Sequence, residues 1–159
     1  MDDQQVEGVQ ESLSVPHRHD LTEFLTPGEH TITVAIDNTV RFHLGGHSYS
    51  ENTQTNWNGM IGRIELQATD PVWISDVKTY PNVSGRSVKV VSTIENMLDS
   101  EQKCRLLFSV AGKQLREKVN VAAKSRTEFT VDIKLPEDIE LWDDFSPALH
   151  DLDVKLEVG

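Results

Sequence analysis

Thr127-Glu-Phe-Thr-Val-Asp-Ile-Lys-Leu135 alternates without a break, setting Phe129, Val131, Ile133 and Leu135 on one side and charged or hydroxylated residues on the other. A two-residue period is the mark of a strand with one face in a core and one in water. Lys103-Cys-Arg-Leu-Leu-Phe-Ser-Val110 repeats the pattern, with Cys104, Leu106, Phe108 and Val110 together. Working outward, further strands are expected over 73–80, 88–94, 115–121 and 149–158, the last offering Leu152, Val154, Leu156 and Val158 as an inward face. Turn residues punctuate the series: Pro81-Asn-Val-Ser-Gly85, the polar stretch 96–101, and Ala111-Gly112. Short strands at regular spacing predict an antiparallel two-sheet sandwich of immunoglobulin-like type. The Cys-Trp-Cys framework of antibody domains is absent, so the expected relation is architectural.

The chain of 159 residues has room for one ordinary domain or two small ones, and its 37% apolar content is somewhat lean. Trp57, Trp73 and Trp142 are spread along it as separate packing anchors. The formal net charge is −11, with acids densest toward the end, where Glu137, Asp138, Glu140, Asp143, Asp144, Asp151, Asp153 and Glu157 face the single base Lys155. Phosphate binding needs a basic stripe, so nucleic acid is not an expected partner, and the same field disfavours anionic membranes. Cys104 is the only cysteine and, lying on an apolar strand face, reads as a buried structural thiol. No apolar run is long enough to span a bilayer, and Met1-Asp-Asp-Gln-Gln-Val-Glu7 lacks the basic and apolar parts of a signal peptide.

Upstream of the sandwich, Asp20 and Glu23 have the spacing of a capping box, and Pro27-Gly28 makes a turn. His30-Thr-Ile-Thr-Val-Ala-Ile-Asp37 alternates as a half-buried strand, a polar connection with Gly45-Gly46 runs over 38–58, and Gly59-Met-Ile-Gly-Arg-Ile-Glu-Leu66 reads as re-entry into a sheet, its glycines marking a bulge. Asp70-Pro71 divides the chain into modules over 1–70 and 71–159. The loop Asn52-Thr-Gln-Thr-Asn-Trp-Asn58 has two readings. In one, Asn52, Gln54 and Asn56 supply amides that match sugar hydroxyls, and Trp57 offers a flat apolar face to a pyranose ring. In the other, it is a surface loop whose Trp packs on its own sandwich.

Three landmarks taken together resemble the non-catalytic front end of glycoside hydrolase family 2, the β-galactosidase, β-glucuronidase and β-mannosidase group. Pro16-His-Arg-His-Asp-Leu-Thr-Glu-Phe-Leu-Thr-Pro-Gly-Glu-His-Thr-Ile-Thr-Val34 with Asp37-Asn38 is similar to a passage of the family's sugar-binding jelly roll. Asn56-Trp-Asn-Gly-Met-Ile-Gly-Arg-Ile-Glu-Leu66 is similar to its last strand. Leu141-Trp-Asp-Asp-Phe-Ser-Pro-Ala-Leu-His-Asp-Leu152 resembles a corner of the following immunoglobulin-like domain, with His150 where Tyr is usual. The resemblance covers nearly the whole chain. It implies an all-β fold: the C-terminal part of a galactose-binding-like jelly roll over 1–70, then an immunoglobulin-like β-sandwich over 71–159 short of its last strand.

The resemblance also implies an accessory fragment of a retaining, β-galactosidase-like hydrolase that acts on terminal β-linked sugars when joined to its catalytic barrel. The two catalytic glutamates of the family lie in that barrel, so no residue here inherits their role and the chain alone is expected to be inactive. The expected partners are a β-galactoside or related glycan, contacted through Asn52, Gln54, Asn56 and Trp57, and the barrel itself. Self-association through unpaired strand edges is also expected. The competing function is a stand-alone carbohydrate-binding or adhesion module. No cofactor or metal is expected: where the family places an Asp that can touch a bound cation, this loop carries only neutral residues, and His17, His19, His43 and His47 form no ligand pattern. Asp143-Asp144 reads as solvated surface, Arg63 as a member of a buried or interdomain ion pair in preference to a sugar ligand, and Asn82-Val-Ser84 as a chance glycosylation sequon.

Overall fold

The structure, a computed structural model, describes residues 1–6, 8–12, 15–37, 39 and 59–159. The chain divides into two compact units, 1–64 and 65–159. The second is a six-stranded β-sandwich, and no helix occurs among the described residues. One sheet has the order β1 (Val72–Asn82), β2 (Ser87–Asn96), β5 (Ser125–Lys134); the other has β4 (Lys113–Val121), β3 (Gln102–Val110), β6 (Leu152–Val158). All pairings are antiparallel. With β2 central between β1 and β5, and β3 central between β4 and β6, the strands form the two-sheet sandwich expected from the spacing of the turns.

Alternation explains which residues meet between the sheets. Val88, Val90, Ile94, Cys104, Leu106, Phe108, Val110, Val119, Val121 and Ile133 are buried in one core with Val72. Phe108 of β3 and Phe129 of β5 bridge the sheets, their rings stacked at 6.5 Å between centroids. Burial pushes the Cys104 thiol above its ordinary pKa, which fits an inert packing residue. In β1 strict alternation would turn Asp76 and Lys78 inward. A bulge between Ile74 and Asp76 shifts the register by one residue, so Val77 rather than Asp76 lies opposite Ser92 on the core side. Asp76 and Lys78 then share the outer face and pair at 3.4 Å.

The β3–β4 hairpin turns through Ala111 and Gly112, with φ of 46° and 74°. Positive φ at both positions is what a two-residue turn needs to match the strand twist, and Gly112 meets that need without steric cost. At the end of β2, Asn96 is fully buried. Its Nδ2 donates to the carbonyls of Ser100 (3.0 Å), Val121 (3.1 Å) and Ala122 (2.9 Å), and its Oδ1 accepts from the Leu98 N–H at 3.0 Å. Two hydrogens serve three acceptors, so one is shared. The bond set also fixes the amide's orientation, since a flipped oxygen would face three carbonyls.

The first unit differs from the expectation for 30–37 and 59–66. Neither segment pairs into a sheet among the described residues, and Ile32, Val34 and Ile36 are about half exposed, at 53%, 56% and 49%. Alternation encodes which side chains share a face, but a strand also needs a ladder to a neighbour, and beside 30–37 the described residues give the Asp2 N–H bond to the Thr31 carbonyl at 3.0 Å but no ladder. Gly59 and Gly62, at φ of 87° and 86°, turn the chain rather than bulge a strand. The cap at Asp20 is half of the expected box: its Oδ1 accepts from the Thr22 N–H (2.9 Å) and hydroxyl (2.6 Å), opening a single turn closed by Phe24 and Leu25 on Leu21. His30 stands between Asp2 Oδ2 and the Thr26 carbonyl, each 2.7 Å away, while Asp2 Oδ1 accepts from the Thr31 N–H at 2.8 Å. Both ring nitrogens face acceptors, an arrangement that favours the protonated ring.

Replacing Asn96 with Ala should lower unfolding free energy by about 3 kcal/mol in urea titrations, because buried carbonyls lose their donor. Ser92 is equally buried but its hydroxyl has no partner among the described residues, so Ser92→Ala should be neutral or slightly stabilising. The Asp2 carboxylate, then the Thr26 carbonyl, raise the His30 pKa above 6.5; the His30 bond, then the Thr31 N–H, lower that of Asp2 below 3.8. The His30 contribution to stability is therefore full below pH 6.5 and lost as pH rises through its raised value, and the Asp2 contribution is full above pH 3.8 and lost as pH falls through its lowered one. NMR titration of the His30 ring should show the upward shift, and Asp2→Asn should return it toward the ordinary value.

Candidate functional site

The connection from β5 to β6 builds the most distinctive surface of the sandwich. Pro136 cannot donate to a ladder and stops β5, and the chain turns at Ile139, whose N–H reaches the Pro136 carbonyl at 3.2 Å. Trp142 and Pro147 then form a bridge that closes a small loop over 143–146. Asp143 holds that loop from inside: its Oδ1 accepts from the N–H groups of Phe145 (2.8 Å) and Ser146 (2.7 Å), and its own N–H donates to the Ser146 carbonyl at 3.1 Å. His150 Nε2 donates to the Glu140 carbonyl at 2.8 Å and ties the two ends of the corner together. A histidine thus supplies the crosslink at the position where the resembling family usually carries Tyr.

The corner so fixed displays its apolar side chains. Phe145 is 99% exposed, Leu149 85% and Trp142 59%. An aromatic held at the tip of a hydrogen-bonded turn has already lost much of its backbone freedom, which lowers the entropy cost of docking it. The segment between Lys134 and Lys155 that carries these residues contains acids and no Lys or Arg. Its charge favours a basic-rimmed surface and disfavours a second copy of itself.

The sugar-facing loop reading falls on Asn52, Gln54, Asn56 and Trp57, which lie outside the described residues. Asp143 and Asp144 are on the corner, where Asp143 is spent on backbone capping. Arg63 is exposed, a correction to the burial expected of it; the segment carrying it is no sheet strand, so it has no core to enter. His17 and His19 are exposed, His43 and His47 lie outside the described residues, and no group of three or more His, Cys, Asp or Glu side chains converges among the described residues. Asn82 braces the β1–β2 turn through Oδ1, which accepts from the Gly85 N–H at 2.9 Å and the Ser84 hydroxyl at 3.2 Å.

Two shallow recesses contain polar groups already engaged with one another. In that lined by Glu95, Asn96, Met97, Lys124, Ser125 and Arg126, Glu95 accepts from the Ser75 hydroxyl at 3.1 Å and pairs with Arg126 at 3.5 Å, and Asn96 is saturated. In the other, lined by Asp2, Asp3, Thr31 and Thr33, both Asp2 oxygens are taken. Asp2 and Asp20 are held below the ordinary carboxylate range by hydrogen bonds, from His30 and Thr22 respectively. A general acid for glycoside cleavage needs the opposite shift. The exposed corner was the part the alternation pattern could not reveal; the signal available was an aromatic between an acidic pair and Ser-Pro, in a segment too irregular for a strand.

Comparison with known proteins places the sandwich. No curated protein matches the chain. A solved structure similar to it is a family 2 β-galacturonidase from Eisenbergiella tayi bound to glycerol, with 12% sequence identity and a TM-score of 0.49. The match covers 56% of this chain and 16% of that one, so this chain spans a small part of that enzyme's length. The sequence profile of Glycosyl hydrolases family 2 matches residues 72–159, which holds every strand of the sandwich and more than half of the chain. The chain belongs to glycosyl hydrolase family 2.

Proposed function

We propose that this chain is an accessory, scaffold and sugar-positioning part of a retaining, β-galactosidase-like family 2 hydrolase, working when joined to a catalytic barrel. The observation that carries this reading is the preformed corner with Phe145 almost wholly exposed beside Trp142 and Leu149. Burying a side chain of this size is worth about 1.5–3 kcal/mol, so a rigid turn that holds it in water is suited to a partner surface that covers it. Membership of the family supplies the class of partner. The described carboxylates support the same division of labour, since those engaged in defined contacts cap turns or form ion pairs.

On this reading Asn52, Gln54, Asn56 and Trp57 contribute to substrate positioning. One amide hydrogen bond to a hydroxyl nets only about 1 kcal/mol against water, so the loop orients sugar already held by the barrel and does not bind it tightly alone. The substrate class is a terminal β-linked sugar, a β-galactoside first.

Reading the coding sequence beyond residue 159 is the first test: an in-frame β/α barrel is expected, and a stop followed by unrelated genes would remove the proposal. The chain alone should hydrolyse no nitrophenyl β-galactoside. In the joined enzyme Phe145→Ser should cost about 2 kcal/mol of stability by burial lost, while in the isolated chain the same change should stay within about 0.5 kcal/mol. Equal effects in both would show that nothing covers the corner. Titration with methyl β-galactoside should give a weak, millimolar-range change in Trp fluorescence that Trp57→Phe abolishes; a flat titration sinks the sugar role of the loop.

A further inference from the structure

The two outer faces of the sandwich carry charge differently. On the β1-β2-β5 face each strand cation stands beside an acceptor: Lys78 pairs with Asp76 at 3.4 Å and Arg126 with Glu95 at 3.5 Å, Lys89 lies opposite Asp132, and Lys134 Nζ donates to the Gly85 carbonyl at 3.0 Å. The β4-β3-β6 face is built otherwise. Alternation turns Lys103 and Arg105 of β3, Arg116 and Lys118 of β4, and Lys155 of β6 outward and leaves all of them exposed, with Asp153 and Glu157 the strand carboxylates beside them. Along the chain these cations are interleaved with Cys104, Glu117 and other inward residues, so no basic run shows. The pairing of β3 with β4 gathers them on one surface of a chain whose net charge is −11.

Register sharpens the imbalance. Arg105 lies directly opposite Lys118, and Leu107 stands between Arg116 on β4 and Lys155 on β6. Like charges in opposed positions cost stability. Arg105 also pairs with Glu157 at 3.5 Å, but the two side chains are 61% and 55% exposed, so water screens the pair and the guanidinium keeps further donors open. The neutral neighbours on the same face are Ser109, Gln114 and Asn120, whose hydroxyl and amides match hydroxyl groups, and half-buried Leu107 gives an apolar contact for C–H groups at the centre. Among the outward strand residues there is no aromatic on which a nucleobase could stack and no protruding apolar anchor for a protein partner.

We propose that the outer face of the β4-β3-β6 sheet, centred on Arg105, Arg116 and Lys118, binds an acidic glycan, an oligosaccharide whose uronate carboxylates seat on the cations and whose hydroxyls meet the amides. Membership of a glycosyl hydrolase family brings the chain to sugar polymers, and the charge of this face selects those that carry carboxylates. Arg105 and Arg116 present planar forks that hold a carboxylate by two bonds. Same-face positions lie about 7 Å apart along a strand and about 5 Å apart across the pair, so neighbouring carboxylates of one ligand meet different cations. Charges beyond about 8 Å are screened at physiological salt, so the face acts locally within an acidic chain. Neither Phe145 nor residues 52–57 enter this assignment, so it and the accessory function proposed above fail on different measurements.

NMR titration of the whole chain with an alginate tetrasaccharide should give saturable shifts of backbone amides over 103–120, with an affinity that falls at least about fivefold as salt rises from about 0.1 to about 0.5 M. Arg116→Gln and Lys118→Gln should each weaken binding by about three- to tenfold, and Lys118→Arg, which keeps the charge, should retain it. Lys118→Gln also removes the charge opposed to Arg105, so its urea midpoint should stay level or rise while its affinity falls, a combination that a merely damaged fold would not give. Trp57→Phe should leave the titration unchanged. Shifts that do not saturate or that fall outside the hairpin, equal binding of neutral galactotetraose, or affinity indifferent to both Gln variants would each overturn the proposal. Tighter binding of a hexaglutamate peptide or a short single-stranded oligonucleotide would give the face to an acidic protein or to nucleic acid and overturn it as well.

Discussion

The Asn96 amide is the constraint on which the sandwich turns. A core between two sheets is held by non-directional burial, which fixes that the sheets face each other but not how they are joined at their ends. Asn96 supplies direction there. From the last position of β2 it reaches the turn that leads to β3 and the end of β4, tying one sheet to both crossings into the other. The bond to the Val121 carbonyl is buried, and without the amide that oxygen would lack a partner away from water. Because the amide's four hydrogen-bonding positions are met by chemically opposite groups, the junction admits one arrangement. The Phe108–Phe129 ring pair and the aliphatic residues around it pack on a frame already set.

Within the sandwich, the sequence was readable because water and core impose a period of two. The strands expected at 73–80, 88–94, 103–110, 115–121 and 127–135 all form, each differing from the expectation only at its ends. The β1 bulge shows where the pattern needs help. Val72 and Ile74 share a parity that Val77 breaks, and only the displacement at Ser75 puts all three on the core-facing side of the strand with Asp76 and Lys78 on the other, although Val77 itself stays 38% exposed. A periodic reading finds the strand but not the irregularity that makes it work.

The first unit shows the limit of the same reasoning. Ile32, Val34 and Ile36 alternate as cleanly as Val131 and Ile133, yet no ladder accompanies them in the described residues. An apolar stripe states a need for burial; it does not supply the neighbouring backbone that a sheet requires. Local chemistry was better guidance there. Asp20 caps its turn, as its position before Leu-Thr-Glu predicts, because that bond spans two residues and depends on nothing distant. The His30 bond to Asp2 joins residues 28 apart in sequence and could not be read from either end.

The candidate surfaces divide along the same line. The sequence by itself determined the class of fold, the inner and outer faces of its strands and the buried state of Cys104, because each follows from side-chain polarity at short range. Only the tertiary structure decided that Phe145 stands in water on a turn braced by Asp143, that His150 closes that corner, and that Asn96 holds the sheets together. The physical reason is that exposure, pairing and hydrogen-bond satisfaction are properties of which segments become neighbours, and a one-dimensional pattern records a residue's preference without recording whether anything in the folded chain meets it.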